Sequence, residues 1–159
     1  MVLAGLVLGG WMRQRTSSAN ADVAAHQAEV EARGAAVMPF DQNLTMHEFT
    51  KTDTGGVETV TANDPSDATQ IKLIQDHLTY EQVQFSDGNF TDPMAIHGIQ
   101  MPGIDDLQQG ARAGQLQVEY AALPDGARLS YTSTDAALIT AIHTWFDAQL
   151  MDHGDHATG

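Results

Sequence analysis

Histidine is the residue type with the greatest chemical potential in this sequence. The chain of 159 residues has seven histidines, no cysteine, 21 acidic and 7 basic residues, and a formal net charge of −14. Imidazole is the commonest protein ligand for zinc and copper, and carboxylates or Met thioethers can complete such a site. The absence of cysteine excludes a thiolate nucleophile, a disulfide framework and a Cys-type zinc site. Any metal site must therefore use His, Asp, Glu, Met or backbone oxygen.

The candidate ligands come from different parts of the chain. His47 lies on the inward face of a predicted strand, and His97 lies in a loop rich in Gly and Pro, near Met101. His143 lies on a predicted helix, and the four-residue spacing places Asp147 on the same helical face. We predict that His47, His97 and His143 converge on one metal ion, with Met101 and Asp147 as further candidate ligands. Copper is the expected ion, and another divalent metal such as zinc is the alternative.

The remaining histidines give weaker signals. His77 and Glu81 repeat the four-residue spacing on another predicted helix, but His77 is expected on the side that faces solvent. His153 and His156 are expected in a C-terminal tail. A buried histidine is more often satisfied by hydrogen bonds within the fold than by a metal. The alternative function is therefore a metal-free interaction or small-ligand-binding module with structural histidines.

Charge and motif content restrict the other functional classes. The large excess of acid disfavours nucleic acid and anionic lipid, which proteins bind through Lys and Arg. The same charge suits the capture of cations, and equally suits docking on a basic protein partner. The sequence has no nucleophile elbow, no phosphate-binding glycine loop followed by Lys and no dinucleotide fingerprint. Enzymatic activity is therefore the least favoured class, although a metal-bound water could support hydrolysis.

An internal repeat organises the body of the chain. The segment HEFTKTDTGG-VETVTAN, followed by SDATQIKLIQDHL, matches VEYAALPDGA-RLSYTS, followed by TDAALITAIHTWF, and pairs His47 with Val118. In each copy, two runs of strand-like alternation flank a glycine-containing reversal, and an apolar stripe follows behind the N-caps Ser66 and Thr134. We predict an α+β fold in which duplicated strand–strand–helix units form a four-stranded antiparallel sheet with the helices packed on one face.

The ends of the chain differ from this body. The apolar run from Met1 to Met12 is too short to cross a bilayer, and with Ala19-Asn20-Ala21 it predicts a truncated signal peptide or an N-terminal anchor over 1–21. A linker or short helix is expected over 22–37, a single α+β domain over 38–154, and a flexible tail over 155–159. The expected location is periplasmic or secreted, with or without anchoring by the N-terminus.

Several motifs resemble those of a family of small exported bacterial proteins of unknown function. They are MPFDQNLTMHEF, F-x-D-G-N-F-x-D-P, IHGIQMPG and WFDAQLMDHG, and the resemblance covers roughly residues 38–154. Members often bear the name aspartate carbamoyltransferase, which implies binding of carbamoyl phosphate through a Ser-Thr-Arg-Thr segment at the start of a helix. This sequence has no such segment and few cations to hold a dianion. Transcarbamoylase activity is therefore not expected.

Overall fold

The predicted α+β class is confirmed by a computed structural model, which describes the backbone of residues 8–159 and the side chains from residue 19 onward. In this range the chain forms five α-helices and a five-stranded mixed sheet. The helices are α1 (Leu8–Val37), α2 (Ala68–Ser86), α3 (Thr91–His97), α4 (Ile104–Arg112) and α5 (Ala136–His153). The strands are β1 (Thr45–Thr52), β2 (Gly55–Ala62), β3 (Gln117–Leu123), β4 (Gly126–Thr132) and β5 (Ala157–Thr158).

The sheet is built from two hairpins and has the order β3-β4-β2-β1-β5. The hairpins β1–β2 and β3–β4 join through antiparallel pairing of β2 with β4, so the four strands expected from the sequence are all antiparallel. The fifth strand was not expected. Residues predicted to be a flexible tail instead pair with β1 in parallel, with Ala157 opposite His47. The edge of β1 has free backbone groups that even a two-residue strand can satisfy.

The two faces of the sheet differ in polarity. Successive side chains of a strand point to opposite faces, and the face turned toward the helices buries Phe49, Val60, Leu129 and Tyr131. The other face exposes charged side chains such as Glu48. The inward residues in the middle of the strands therefore lie in the core or line a cavity within it, whereas Lys51, near the end of β1, is exposed.

Each of the longer helices, α2 and α5, packs mainly on the hairpin that it does not directly follow in the chain. Each begins at an aspartate N-cap, Asp67 or Asp135, one residue after the cap expected from the sequence. Helix α2 follows the β1–β2 hairpin in the chain but packs mainly on β3 and β4, and α5 packs on β1 and β2. This exchange places α5 directly over the strand that contains His47.

Helix α1 packs against α3 and α5 and buries Val30 in the core. The range 22–37, for which the sequence left a linker or a short helix open, is thus helical and joined to the domain. The predicted signal peptide or anchor over 1–21 begins outside the described residues and stays a prediction. In the described part of the chain, no helix combines the length and the apolar character that a bilayer crossing requires.

Candidate functional site

A small cavity lies between the sheet and the helices. Its volume is about 50 Å³, which is room for about three water molecules. Polar groups from β1, β2, α2, α3 and α5 line it, and we call it the histidine cavity. Its ionisable lining residues are His47, Glu58, His77, Glu81, Asp92, His97 and His153. Titratable groups are costly to bury, and their concentration here marks the cavity as a candidate binding site.

Imidazoles from β1, α3 and α5 form one wall of the histidine cavity. The rings of His47 and His153 stack with centroids 4.8 Å apart and an interplanar angle of 14°. The ring of His97 meets that of His153 edge-on, with centroids 5.0 Å apart. All three residues are buried. Nδ1 of His47 is also buried and has no hydrogen-bond partner.

A carboxylate orients one of these rings. Oδ2 of Asp152 lies 2.9 Å from Nδ1 of His97, and Oδ1 of the same carboxylate lies 2.9 Å from Nε2 of His26. Burial raises the pKa of Asp152, but the hydrogen bonds and charges of His97 and His26 outweigh that effect and lower it below its ordinary value. Because Nδ1 of His97 is engaged, Nε2 is the nitrogen that remains available to a ligand.

Carboxyl groups and a further imidazole also line the cavity. His77 and Glu81 lie one turn apart on α2, with Nε2 of His77 3.6 Å from Oε1 of Glu81. Their side chains are only 12% and 6% exposed, which corrects the expectation that His77 faces solvent. Asp92 on α3 lines the same cavity. Glu58 approaches from the sheet and accepts a hydrogen bond of 2.8 Å from the hydroxyl of Tyr131.

Burial favours the neutral form of His47, His77 and His153. It is the main cause that lowers the pKa of His47 from 6.5 to about 4, and His97, His77 and His156 lower it further by repulsion. Burial also holds the pKa of His153 well below its ordinary value, and repulsion from His47 adds to the effect. The pKa of His77 is lowered by burial, which Asp92 partly opposes. Neutral imidazole is the form that can donate a lone pair to a metal ion.

The carboxyl groups shift in the opposite direction. Burial raises the pKa of Glu81 from 4.5 to about 9, and a side-chain hydrogen bond with Asp92 and repulsion from Asp92 and Glu58 raise it further. Burial raises the pKa of Glu58 from 4.5 to about 7, although the hydrogen bond from Tyr131 opposes the shift. The cavity thus contains carboxyl groups that hold protons where no cation compensates their charge.

The structure does not place every predicted ligand at this cavity. His47 and His97 line it, but Nε2 of His143 lies 2.8 Å from the carbonyl oxygen of Gly55 and 3.0 Å from that of Thr52. The lengths of α5 and β1 explain why His143 lies far from His47 and His153. His143 is ten residues before the end of α5, about 15 Å of helix, and Thr52 is about 16 Å of extended strand from His47.

The two other predicted ligands also lie away from the cavity. Asp147 forms an ion pair with Lys51 on the surface. Met101 is buried, but it lines a separate surface groove of about 620 Å³. His97 is the residue that borders both the groove and the histidine cavity. Met101 is thus near His97 without facing the other imidazoles.

Three residues that line the cavity were not among the ligands expected from the sequence, although each carries a detectable signal. His153 continues the buried stripe of α5 beyond Phe146 and Gln149, at spacings of three and four residues. Glu81 likewise lies on the stripe that buries Ile74, Leu78 and Phe85 of α2. A polar residue at an apolar position of a helical stripe is the signal in both cases. For Glu58 the signal is its pairing with the apolar Leu129 in the repeat.

The arrangement of donors stops short of a closed metal site. Among the residues whose side chains are described, no three His, Asp or Glu groups stand close enough together to enclose one ion as they lie. The close contacts are pairwise: the rings of His153 with His47 and with His97, and the side chains of His77 and Glu81. An ion would therefore have to draw at least one further side chain toward such a pair.

Comparison with known proteins does not assign the chain to a family. No protein-family model matches the chain, and neither a curated protein nor a solved structure matches it. The resemblance of its motifs to the exported bacterial family accordingly stays a prediction.

Proposed function

We propose that the protein binds a divalent transition-metal ion through His47, His97 and His153. The observation that supports the proposal is the pair of ring contacts, 4.8 and 5.0 Å between centroids, by which His153 joins the other two imidazoles. These residues come from a strand, a short helix and the end of a long helix. Small rotations of the His47 and His153 rings can direct one nitrogen of each toward an ion bound at Nε2 of His97.

The unpaired polar groups argue for a ligand. Nδ1 of His47, Oε1 of Gln149 and Nε1 of Trp145 are buried without partners, and each unmet hydrogen bond costs about 1–3 kcal/mol. The fold does not need a polar residue at the positions of His47 and Glu58. The second hairpin has the apolar residues Val118 and Leu129 where the first has His47 and Glu58. In the duplication that we infer, only the first copy has polar residues at these two positions.

The Asp152–His97 hydrogen bond fits a ligand role for His97. Metal-binding histidines commonly donate their second ring N–H to a carboxylate, which fixes the tautomer and raises the basicity of the other nitrogen. The 2.9 Å contact to Nδ1 gives His97 this arrangement. His47 and His153 have no such carboxylate partner in the described structure, so His97 is the strongest of the proposed donors.

The donor set favours borderline metal ions. Imidazole nitrogen suits zinc and copper(II), whereas thioethers favour copper(I). Met101 faces the groove, and Met38 is the methionine on the cavity wall. Zinc and copper(II) are therefore the first ions to test. We retain the proposal that this binding takes place in the periplasm or outside the cell, which N-terminal sequencing of the mature protein can test.

A calorimetric experiment tests the proposed function. Protein purified without an affinity tag and stripped with a chelator is titrated with Zn²⁺ or Cu²⁺, and its unfolding temperature is recorded with and without the ion. An ion at 100 times its Kd should stabilise the fold by about 2.7 kcal/mol. His47→Ala and His153→Ala should remove this increase, and the matched variant His143→Ala should keep it. An increase that survives both cavity substitutions would contradict the proposal.

A second candidate function is binding of a small polar molecule without a metal. It is favoured by the mixture of unpaired groups in the cavity, since Trp145 offers a donor and Gln149 offers an acceptor. A volume of about 50 Å³ limits such a ligand to a few heavy atoms. The titration separates the two functions, because a small molecule in place of an ion would leave Zn²⁺ and Cu²⁺ without effect on unfolding.

A further inference from the structure

We infer that the surface groove beside His97 binds a small organic cation with a flat apolar body, such as an aromatic amine. The groove lies between α1, α5 and the loop that joins α3 to α4, and its volume is about 620 Å³. It is a separate site, because His97 is the one described residue that lines both the groove and the histidine cavity. The inference therefore goes beyond the proposed function and does not depend on it.

The size and the lining of the groove suit a small molecule. Ligand sites in proteins are typically concave, about 300–1,000 Å³ in volume and mainly apolar, with a few polar groups that orient the ligand. Thr144, Asp147 and Asp152 of α5 line one side of the groove, and His26 of α1 and the loop segment 98–102 line the rest. By contrast, the histidine cavity holds about 50 Å³ and is too small for such a molecule.

Exposed hydrophobic side chains border the groove. Ile99 and Met151 are 72% and 66% exposed, which makes them the most exposed large hydrophobic residues among the described side chains. Both line the groove, together with the buried Met101 and with Pro102. Exposed apolar surface that gathers in one concave place is typical of a binding site. Methionine sulfur contacts aromatic rings favourably and its unbranched side chain adapts to their shape, so the two methionines favour a flat aromatic body.

The acidic side chains of the groove supply the counter-charge. Asp147 and Asp152 line it, and none of its lining residues in the described part of the chain is Lys or Arg. Oδ1 of Asp147 is paired with Lys51. Asp152 contacts the imidazoles of His97 and His26, and a neutral imidazole donates a hydrogen bond without cancelling the charge of the carboxylate. The side chain of Asp152 is only 12% exposed, and a carboxylate partly withdrawn from water attracts a cation more strongly. Asp152 is therefore the expected partner of the ammonium group.

The charge of the whole chain acts in the same direction. The formal net charge is −14, and such a field attracts cations to the groove and repels anions of the same shape. This complementarity favours an organic cation over a neutral apolar molecule or a carboxylate as the occupant. The three classes of ligand give different outcomes in one experiment.

Three indole compounds of similar size test the inference. Tryptamine has an ammonium group, tryptophol a hydroxyl group and indoleacetate a carboxylate. Each is titrated at pH 8 into the isotopically labelled full chain with a chelator present, and the amide chemical shifts give the Kd and the location of binding. Tryptamine should shift the amides of segments 98–101 and 144–152. Its Kd should be at least about tenfold lower than that of tryptophol, as a hydrogen bond to a charged group provides, and indoleacetate should not bind.

Substitutions separate the charged part of the groove from the apolar part. Asp152→Asn should remove the advantage of tryptamine over tryptophol. Ile99→Ala and Met151→Ala should each weaken tryptamine binding by at least about threefold, because each removes apolar contact. The matched control Val83→Ala shortens an exposed apolar side chain of α2 outside the groove and should bind tryptamine as the wild type does. Circular dichroism verifies that each variant is folded, and Asp147→Asn, with a smaller loss expected, replaces Asp152→Asn if that variant is not.

Several results would overturn the inference. They are the absence of binding at millimolar tryptamine, tryptophol or indoleacetate that binds as tightly as tryptamine, and shifts confined to amides outside the two segments. A Kd for tryptamine that is unchanged in both Ile99→Ala and Met151→Ala would do the same. None of these results bears on the proposed function, because the chelator removes metal ions from every titration.

Discussion

The carboxylate of Asp152 lies 2.9 Å from Nδ1 of His97 and connects this buried ring to the surface histidine His26. His97 can rotate only if it gives up that bond, so its second nitrogen is held in one direction. Asp152 immediately precedes His153 on α5. One turn of helix thus supplies both a proposed ligand and the group that positions another.

Replacement of Asp152 by Asn should weaken metal binding while the fold is kept. The amide can still hydrogen-bond, but it no longer selects one tautomer of His97 or raises its basicity. Loss of such an outer partner typically costs about 10–100-fold in metal affinity. Isothermal titration with Zn²⁺ measures the change. Asp147→Asn, which alters an exposed ion pair on the same helix, should leave the affinity as it is, and equal affinities for the two variants would refute the positioning role.

Glu58→Gln should stabilise the metal-free protein at alkaline pH. The folded-state pKa of Glu58 is raised from 4.5 to about 7, so the folded chain retains a proton that the unfolded chain releases between these values. Stability therefore falls as pH rises from 4.5 to about 7 and stays lowered above it. Gln is neutral at every pH, and its carbonyl can accept the hydrogen bond from Tyr131.

Urea denaturation with a chelator present checks this prediction. At pH 8 the free energy of unfolding of Glu58→Gln should exceed that of the wild type by about 1–3 kcal/mol, since one pKa unit corresponds to about 1.4 kcal/mol. At pH 4.5 the difference should shrink toward zero. The exposed Glu119→Gln serves as control. A gain of the same size at both pH values would show that burial of charge is not the cause.

His143→Ala should lower stability without affecting metal binding. Nε2 of His143 reaches the carbonyl oxygens of Gly55 and Thr52 and thereby ties α5 to the β1–β2 hairpin. Removal of the ring leaves partly buried carbonyl groups without this donor, at a cost of about 1–3 kcal/mol. Chemical denaturation gives the cost, and titration gives the affinity for zinc. A loss of zinc affinity would restore His143 to the ligand set expected from the sequence.

His47→Val should raise the stability of the metal-free protein and abolish binding. Val is the residue at the corresponding position of the second hairpin, Val118, and it removes a buried nitrogen that has no partner. A gain of about 0.5–2 kcal/mol is typical when a functional polar group is replaced in a core. Thermal unfolding with and without a chelator measures both effects.

The free energy of unfolding of His47→Val should also depend less strongly on pH under acidic conditions. The folded-state pKa of His47 is lowered from 6.5 to about 4, so the unfolded chain takes up a proton in this interval and the folded chain does not. Stability from this source is present above pH 6.5 and is lost as pH falls toward 4. His47→Val should flatten this slope. A slope that stays as steep in His47→Val would contradict the assignment.

The fold class follows from local patterns, which is why it could be predicted. Alternation in residues such as Val118 and Tyr120, together with glycine at the reversals, is decided within a few residues. The C-terminal strand escaped prediction because a two-residue strand has no periodicity. Its formation depends on the free edge of β1, which belongs to a distant part of the chain.

The candidate site, too, was in part predictable from local patterns and in part decided by the packing of the elements. By itself the sequence determined which residue types are present, their place on strand or helix, and the inward direction of His47. Only the tertiary structure decided which histidines meet. The crossing of α5 over β1 brings His153 to His47 and leaves His143 at the far end of the strand. Residues far apart in the chain meet through the packing of whole elements, which no local spacing encodes, and that packing creates the buried surroundings that set the protonation of the site.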